Sequence, residues 1–309
     1  MNKINYSIII YLLYYMRVLI FGHKGWIGQQ VINLLKSRNK HDFILATSRA
    51  DDLEKVREEI DIVKPTNVMS FIGRTHGKIG DKEYTTIDYL EEKGKIYDNV
   101  RDNLYSPVLL ALLCNEYNIH FTYLGTGCIF EYDKEHPYNT QYNGFTEESN
   151  PNFFGSGYSV VKGFTDQLMK LINKNILNLR IRMPITDETN SRNFITKITT
   201  YKKICSVPNS MSVLTELLPM LIDMADNKIT GTYNFTNPGL ISHNEILEMY
   251  KEYVDKDFTW ENFTVEEQNQ ILSAGRSNNY LDTQKLEKLY PDIKNIKDSV
   301  RDIMKNYKL

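Results

Sequence analysis

A glycine loop between the first apolar strand and the first amphipathic helix constrains this chain more than any other feature. Gly22-His23-Lys24-Gly25-Trp26-Ile27-Gly28 follows the apolar run Arg17–Phe21. It opens the segment 25–38, where Ile27, Val31, Leu34 and Leu35 share one helical face. Glycines so placed let the backbone turn tightly and approach a pyrophosphate at a helix N-terminus. The chain then keeps the same rhythm. Strands are expected at Phe43–Thr47, Asn67–Ile72, Phe121–Leu124 and Leu177–Met183, and helices at 51–63, 95–117 and 157–174. Acidic residues start the helix at 51–63, where the helix dipole favours them, and Pro65 follows its end. Strand and helix in alternation predict a parallel sheet covered on both faces.

The expected fold is therefore α/β: a doubly wound, Rossmann-type sheet over residues 17–184. From about residue 185 the alternation breaks up into loops rich in Asn, Pro and Ser. Helices are expected there at 213–227, 242–254, 264–272 and 283–290. This half, 185–309, reads as a smaller, discontinuous C-terminal substrate lobe with some segments returning to the sheet. A length of 309 residues suits two such units. Lys+Arg of 37 against Asp+Glu of 39 excludes the single-sign field of a nucleic-acid binder. Cys114, Cys128 and Cys205, without a CxxC, exclude a disulfide framework and a Cys-rich zinc site. They fit a reducing, cytoplasmic compartment. The histidines show no metal-ligand spacing, and no metal is expected.

Residues 1–16 stand before the first strand. The apolar stretch Ile8–Phe21 holds Arg17 and is shorter than the roughly 20 residues a membrane-spanning helix needs. No small-residue cleavage site follows it. It reads as a soluble extension, a strand or short helix packed on the domain, and Met16 is an alternative start.

The second strand bears on the cofactor. A NAD-binding fold places an Asp or Glu about 20 residues past the glycine loop, on the ribose 2′-hydroxyl. Ser48-Arg49 stands there instead. An arginine pairs with a 2′-phosphate, so NADPH is expected and NADH is less favoured. His23 or Lys24 could join the same pocket. Trp26 reads as a core side chain within the loop.

Tyr158-Ser159-Val160-Val161-Lys162 is a YxxxK at the start of a helix, so the hydroxyl and the ammonium share a face. A close cation would bring a tyrosine with a pKa near 10 into range for acid–base work. Gly125-Thr126-Gly127 ends a strand before it, and a hydroxyl there can hydrogen-bond a substrate carbonyl. Glycine loop, strand-end threonine and YxxxK, in that order, resemble the extended short-chain dehydrogenase/reductase family.

Longer runs resemble one branch of it. GTGCIFEYDKEHP (125–137), GFTEESNPNFFGSGYSVVK (144–162), RIRMPI (180–185) and SRNFITKIT (191–199) are among them. So are PNSMSVLTELLP (208–219), GTYNFTNPGLISHNEILEMY (231–250), FTWENFTVEEQ (258–268) and RSNNYLD (276–282). Together they resemble the bifunctional nucleotide-rhamnose synthase/epimerase-reductases of plants, over roughly residues 17–300. The resemblance implies conversion of UDP-4-keto-6-deoxy-glucose to UDP-L-rhamnose by 3,5-epimerisation and NADPH-dependent reduction at C4. It implies Cys128 as base and Lys197 as opposing acid. Tyr158 becomes the proton donor, Thr126 orients the ketone, and Lys162 lowers the tyrosine pKa and holds the nicotinamide ribose. Asn103 supports that lysine, Gly73 borders the cofactor, and Pro184 and Ile185 pass beside the nicotinamide. Asn193 and Arg276 become contacts to sugar and diphosphate. By residue type alone, Cys128 could be a buried core residue, Lys197 a surface lysine, and Asn193 and Arg276 caps or surface groups. Family analogy also implies a homodimer through the helices at 95–117 and 157–174.

One stretch departs from the family. Ser70-Phe71-Ile72-Gly73 stands where the family has Asn-Ala-Ala-Gly, and the loop RTHGKIGDKEYTT after it also differs. This bears on the floor of the cofactor pocket. His76 within the loop reads as solvent-exposed. The chain holds no second glycine loop, so a separate UDP-glucose 4,6-dehydratase is expected upstream. Two other readings stay open: a reductase alone, and a non-catalytic NADP-binding regulatory subunit. The pairing of Cys128 with Lys197 disfavours both.

Overall fold

The computed structural model describes residues 15–138, 143–172 and 174–308. The extension read at 1–16 lies outside them up to Tyr14. Among the described residues the central sheet has six strands: β1 (Arg17–Phe21), β2 (Asp42–Leu45), β3 (Asn67–Ser70), β4 (His120–Thr126), β5 (Ile176–Ile181) and β6 (Gly231–Asn234). Their spatial order is β6-β5-β4-β3-β1-β2, and every ladder is parallel. The doubly wound expectation is met.

Alternation along each strand divides the core in two. In β1, Val18 and Ile20 enter the cluster on one face of the sheet, and Leu19 and Phe21 the cluster on the other. Helix α1 (Trp26–Arg38) covers the first face with Val31, Ile32 and Leu35. On the second face lie α2 (Leu53–Val63), with Val56 and Ile60, and the long helical segment expected at 95–117. That segment is α3 (Ile96–Val100), a π-helical turn at Arg101–Tyr105, and α4 (Ser106–Glu116). Cys114 on α4 is fully buried in this second cluster, as expected. Helix α5 (Gly157–Ile172) packs on the same side.

The second half is divided between the sheet and a cluster of its own. Helix α6 (Phe194–Thr200) lies where a loop was expected. Helix α7 (Leu214–Asp226) turns Leu214, Leu217, Leu218, Leu221 and Ile222 onto the first face of the sheet. Strand β6 then adds to the sheet edge beside β5. Helices α8 (His243–Tyr253), α9 (Val265–Ile271), α10 (Gln284–Leu289) and α11 (Ile296–Lys305) follow. α6, α8 and α11 enclose a third apolar cluster around Ile195, Ile198, Ile246, Leu247, Val300 and Ile303. The departing loop after β3 forms a small hairpin, Gly77–Ile79 with Lys82–Tyr84. All the loops that follow β1 to β5 leave the sheet at its C-terminal edge, where a doubly wound fold builds its sites.

Candidate active site

Loops from β1, β2 and β3 surround a cavity of about 510 Å³. Gly22, Lys24 and Gly25 border it beside Ser48, Arg49, Gly73 and Arg74. The glycines are used for close approach. Gly22 sits at φ +73°, and a Cβ there would come within 2.6 Å of the Phe71 carbonyl carbon. A Cβ on Gly28 would lie 2.5 Å from the Gly22 oxygen. The first turn of α1 carries no acidic residue, so no carboxylate on the helix itself competes for its N–H groups. Trp26 and Ile27 contribute that first turn, but their side chains pack against the core beneath the sheet. Their expected contact with a cofactor is therefore limited to backbone.

At the β2 end, Ser48 is tied down and Arg49 is not. The Ser48 backbone and hydroxyl both donate to Glu59. Arg49 is exposed and bidentate to Asp51, at 2.9 and 2.8 Å. It keeps its positive charge at the pocket rim and can exchange one anionic partner for another. The cavity, its glycine floor and this arginine fit a phosphorylated dinucleotide.

A second group of side chains gathers beyond β4. The Cys128 N–H donates to the Thr126 hydroxyl at 3.1 Å, and the Ser159 hydroxyl donates to the Cys128 carbonyl at 2.7 Å. These bonds hold the cysteine turn against the start of α5. The Tyr158 phenol lies beside the Thr126 hydroxyl, which favours its ionised form. Burial and the neighbouring Cys128 sulfur push that phenol upward. Lys162 is buried one helical turn on, and burial pushes it down to about 8. Its ammonium donates to the Tyr123 hydroxyl and lies 4.6 Å from that ring's centre. The expectation that Lys162 lowers the Tyr158 pKa is thus not met in the free protein, because Tyr123 on β4 takes the ammonium. Asn103 does not reach the lysine either. Its carboxamide clamps the Arg74 backbone on both sides, at 2.8 Å each, and bonds Asn99.

The lobe adds Lys197 and Arg276. Lys197 on α6 donates to the Thr85 carbonyl at 3.3 Å. Burial, then the cations Arg192 and Arg276, push it down to about 8. Arg276 pairs with Asp88 at 2.5 Å and lines a second cavity of about 770 Å³ with Tyr132, Tyr138, Phe153 and Phe263. Asn193 is corrected: it is fully buried and caps α6, accepting from the Ile195 N–H and donating to the Thr186 and Glu188 carbonyls. With that hydrogen bonding internal, it holds the fold and not a sugar. Pro184 and Ile185 pair with Ser212 and Val213, and Ile185 is buried in the third cluster. His76 is also corrected. It lines the smaller cavity, and burial with Arg192, Arg74 and Lys197 nearby pushes it down to about 4.

The family described as the RmlD substrate binding domain matches residues 16–181. The UDP-rhamnose synthase of Acanthamoeba polyphaga mimivirus, known as a crystal structure, is 55% identical. It superposes with a TM-score of 0.90 over 94% of this chain and 99% of that one. A bifunctional dTDP-4-dehydrorhamnose 3,5-epimerase/dTDP-4-dehydrorhamnose reductase of Arabidopsis thaliana is 44% identical over 91% of this chain and 90% of its own. The chain belongs to the RmlD family. The resemblance drawn from the motif runs therefore holds. A Bacillus anthracis dTDP-4-dehydrorhamnose reductase in complex with NADP superposes with a TM-score of 0.74 over 94% of this chain and 98% of that one. At 16% identity it shows only that the RmlD fold is shared.

In this RmlD-family chain, several site residues carried no sequence signal of their own. Tyr123 was hidden in a buried strand, Asp88 in a 3-10 turn (Ile87–Glu91), and Arg74 and Arg192 in loops. Arg182 stood in the RIRMPI run, but nothing in its spacing told a buried charge from an exposed one.

Proposed function

We propose that this enzyme converts UDP-4-keto-6-deoxy-D-glucose to UDP-L-rhamnose, inverting C3 and C5 and then reducing C4. The carrying observation is the convergence of Thr126, Cys128 and Tyr158 at the C-terminal edge of the sheet. The 55% identity to a UDP-rhamnose synthase supports the same reading.

The hydrogens at C3 and C5 are acidic because both carbons flank the C4 ketone. Inversion needs a base on one face of the ring and an acid on the other. Cys128 is the base: its sulfur takes the proton and the C–H electron pair moves into an enolate. Lys197, still an ammonium below about pH 8, returns a proton from the opposite face. The Thr126 hydroxyl holds the C4 oxygen. NADPH, bound over the glycine loop with its 2′-phosphate at Ser48 and Arg49, supplies the hydride for C4. Tyr158 gives the resulting alkoxide its proton, and Lys162 moves from Tyr123 to the ribose side of the site. Arg276 takes the substrate diphosphate, since its fork matches two oxygens.

On this reading residues 17–184 carry the cofactor and most of 185–309 the sugar nucleotide. A separate UDP-glucose 4,6-dehydratase supplies the ketone. We assign the enzyme to the cytoplasm, a reducing compartment that suits its three free cysteines. It works as a homodimer through α3, α4 and α5, which expose Ile96, Tyr97, Leu112, Phe164 and Leu171.

The test is incubation with UDP-4-keto-6-deoxy-glucose and NADPH in heavy water, with NMR of the product. UDP-L-rhamnose deuterated at C3 and C5 is expected. NADPH consumption without deuterium at those carbons would leave a reductase alone. Binding of NADPH without turnover would favour a regulatory protein.

A further inference from the structure

Two arginines, two residues apart, are buried beside the site and treated differently. Arg180 on β5 is paired with Asp166 of α5 through two bonds, at 2.8 and 2.7 Å. Arg182, just past the strand, is 1% exposed and pairs with no carboxylate among the described residues. Its guanidinium donates to the Asn209 side-chain oxygen at 2.8 Å and to the Ser277 carbonyl and hydroxyl at 2.9 and 3.4 Å. Its Nε is buried without a partner among the described residues. A buried cation compensated only by neutral dipoles is costly, and folds rarely keep one without use.

The position of Arg182 suggests the use. Its side chain runs along Gly127, where a Cβ would come 3.0 Å from Arg182 Cγ and Cδ. Gly127 immediately precedes Cys128, so the missing side chain lets the arginine lie along the cysteine turn. The acidic groups that act on the guanidinium are the Cys128 sulfur and the Tyr132 phenol. His243 of α8 also feels Arg182 and stays neutral, pushed down to about 4 by burial and then by the guanidinium. From α5, Cys128 is faced by Tyr158 and by Lys162, whose ammonium is turned to Tyr123.

We infer that Arg182 is a positioning residue for Cys128: a buried cation left without a carboxylate, so that its counter-charge is the thiolate that forms on that sulfur. The inference rests on the reading of Cys128 as the base. It adds the cation that such a base needs near neutral pH.

The test is the rate at which iodoacetamide alkylates Cys128 in the intact protein at pH 7.5, read by peptide mass spectrometry. Cys114 is fully buried, Cys205 borders the larger cavity and Cys128 is partly exposed, so the Cys128 peptide is quantified separately from the other two. Arg182→Gln is expected to slow alkylation about tenfold, and to move the pH profile of alkylation upward, since one unit of thiol titration is a tenfold change in thiolate. Arg182→Lys, which keeps the charge and loses the fork, should stay within about threefold of the parent. Should Arg182→Gln not fold, Asn209→Asp decides. It keeps the guanidinium and sets a carboxylate where the Asn209 oxygen now accepts from it, and it too should slow alkylation about tenfold. An unchanged rate in Asn209→Asp, or in a folded Arg182→Gln, overturns the inference. A purely structural role overturns it as well, and would lower the Tm of Arg182→Lys and Arg182→Gln alike while the alkylation rates stay put. Cys128→Ala tests the underlying reading separately: deuterium exchange that survives it would remove Cys128 as base, whatever the alkylation rates show.

Discussion

At Lys197 burial and two neighbouring arginines move the ammonium from an ordinary 10.5 to about 8. The role of acid proposed for it then has a definite pH limit. Below about 8 the proton is present and can be delivered. Above it the acid is lost, about tenfold per unit. The stability consequence has the opposite sense. The unfolded lysine holds its proton up to 10.5, so between 8 and 10.5 the unfolded state binds more protons and this residue's contribution to stability rises with pH. The pH profile of deuterium incorporation should therefore show a falling limb near 8. Lys197→Met should remove that limb and cut the rate by roughly 10²- to 10⁴-fold. A limb that survives the substitution would point to Lys162, which burial also brings to about 8.

Among the elements, the junction of β1 with α1 is the one where backbone shape decides function. The Gly22 carbonyl accepts from the Gly25 N–H at 3.0 Å, which closes the loop into a turn. Gly28 lies directly beneath the same carbonyl. Gly28→Ala would force a methyl to 2.5 Å from the Gly22 oxygen, so α1 must shift away from the loop. The expected cost is about 1–3 kcal/mol of stability. NADPH affinity should fall at least about tenfold, because the phosphate-facing N–H groups move with the helix. Thermal unfolding and NADPH fluorescence titration measure the two. Gly25→Ala, whose Cβ meets that oxygen at 3.2 Å, should be milder in both. The helical segment at 96–116 has a comparable local device. Its π-helical turn includes Asn103, the side chain that clamps the Arg74 backbone beside the cofactor cavity.

For the molecule as a whole, the exposed helix faces carry the main consequence. Tyr97, Phe164 and Leu171 are 80%, 62% and 79% exposed on α3 and α5. Exposed apolar surface of this kind marks an interaction face. Light scattering at micromolar concentration should give twice the chain mass. The pair Leu112→Lys and Phe164→Glu should give a monomer that still binds NADPH, since neither residue borders the cofactor cavity. A parent protein that is monomeric throughout would remove the proposed dimer.

The layers and the cofactor edge were legible in the order of the amino acids. Periodicities of two and 3.6 are local properties, so strands, helices and the glycine loop could be read directly. The site's roles came from long motif runs, which carried Cys128, Tyr158 and Lys197 together. Tertiary structure decided the rest. β6 is four residues with two polar side chains, Thr232 and Asn234; it is a strand only because β5 offers an edge, and Asn234 bonds the Phe145 and Asp282 carbonyls. Asn193 became a cap, and His76 moved from surface to pocket wall, through partners distant in the chain. Lys162 turned to Tyr123, and Arg182 was left among neutral dipoles. Charge, burial and hydrogen bonding depend on what other segments bring close, and no local pattern records that.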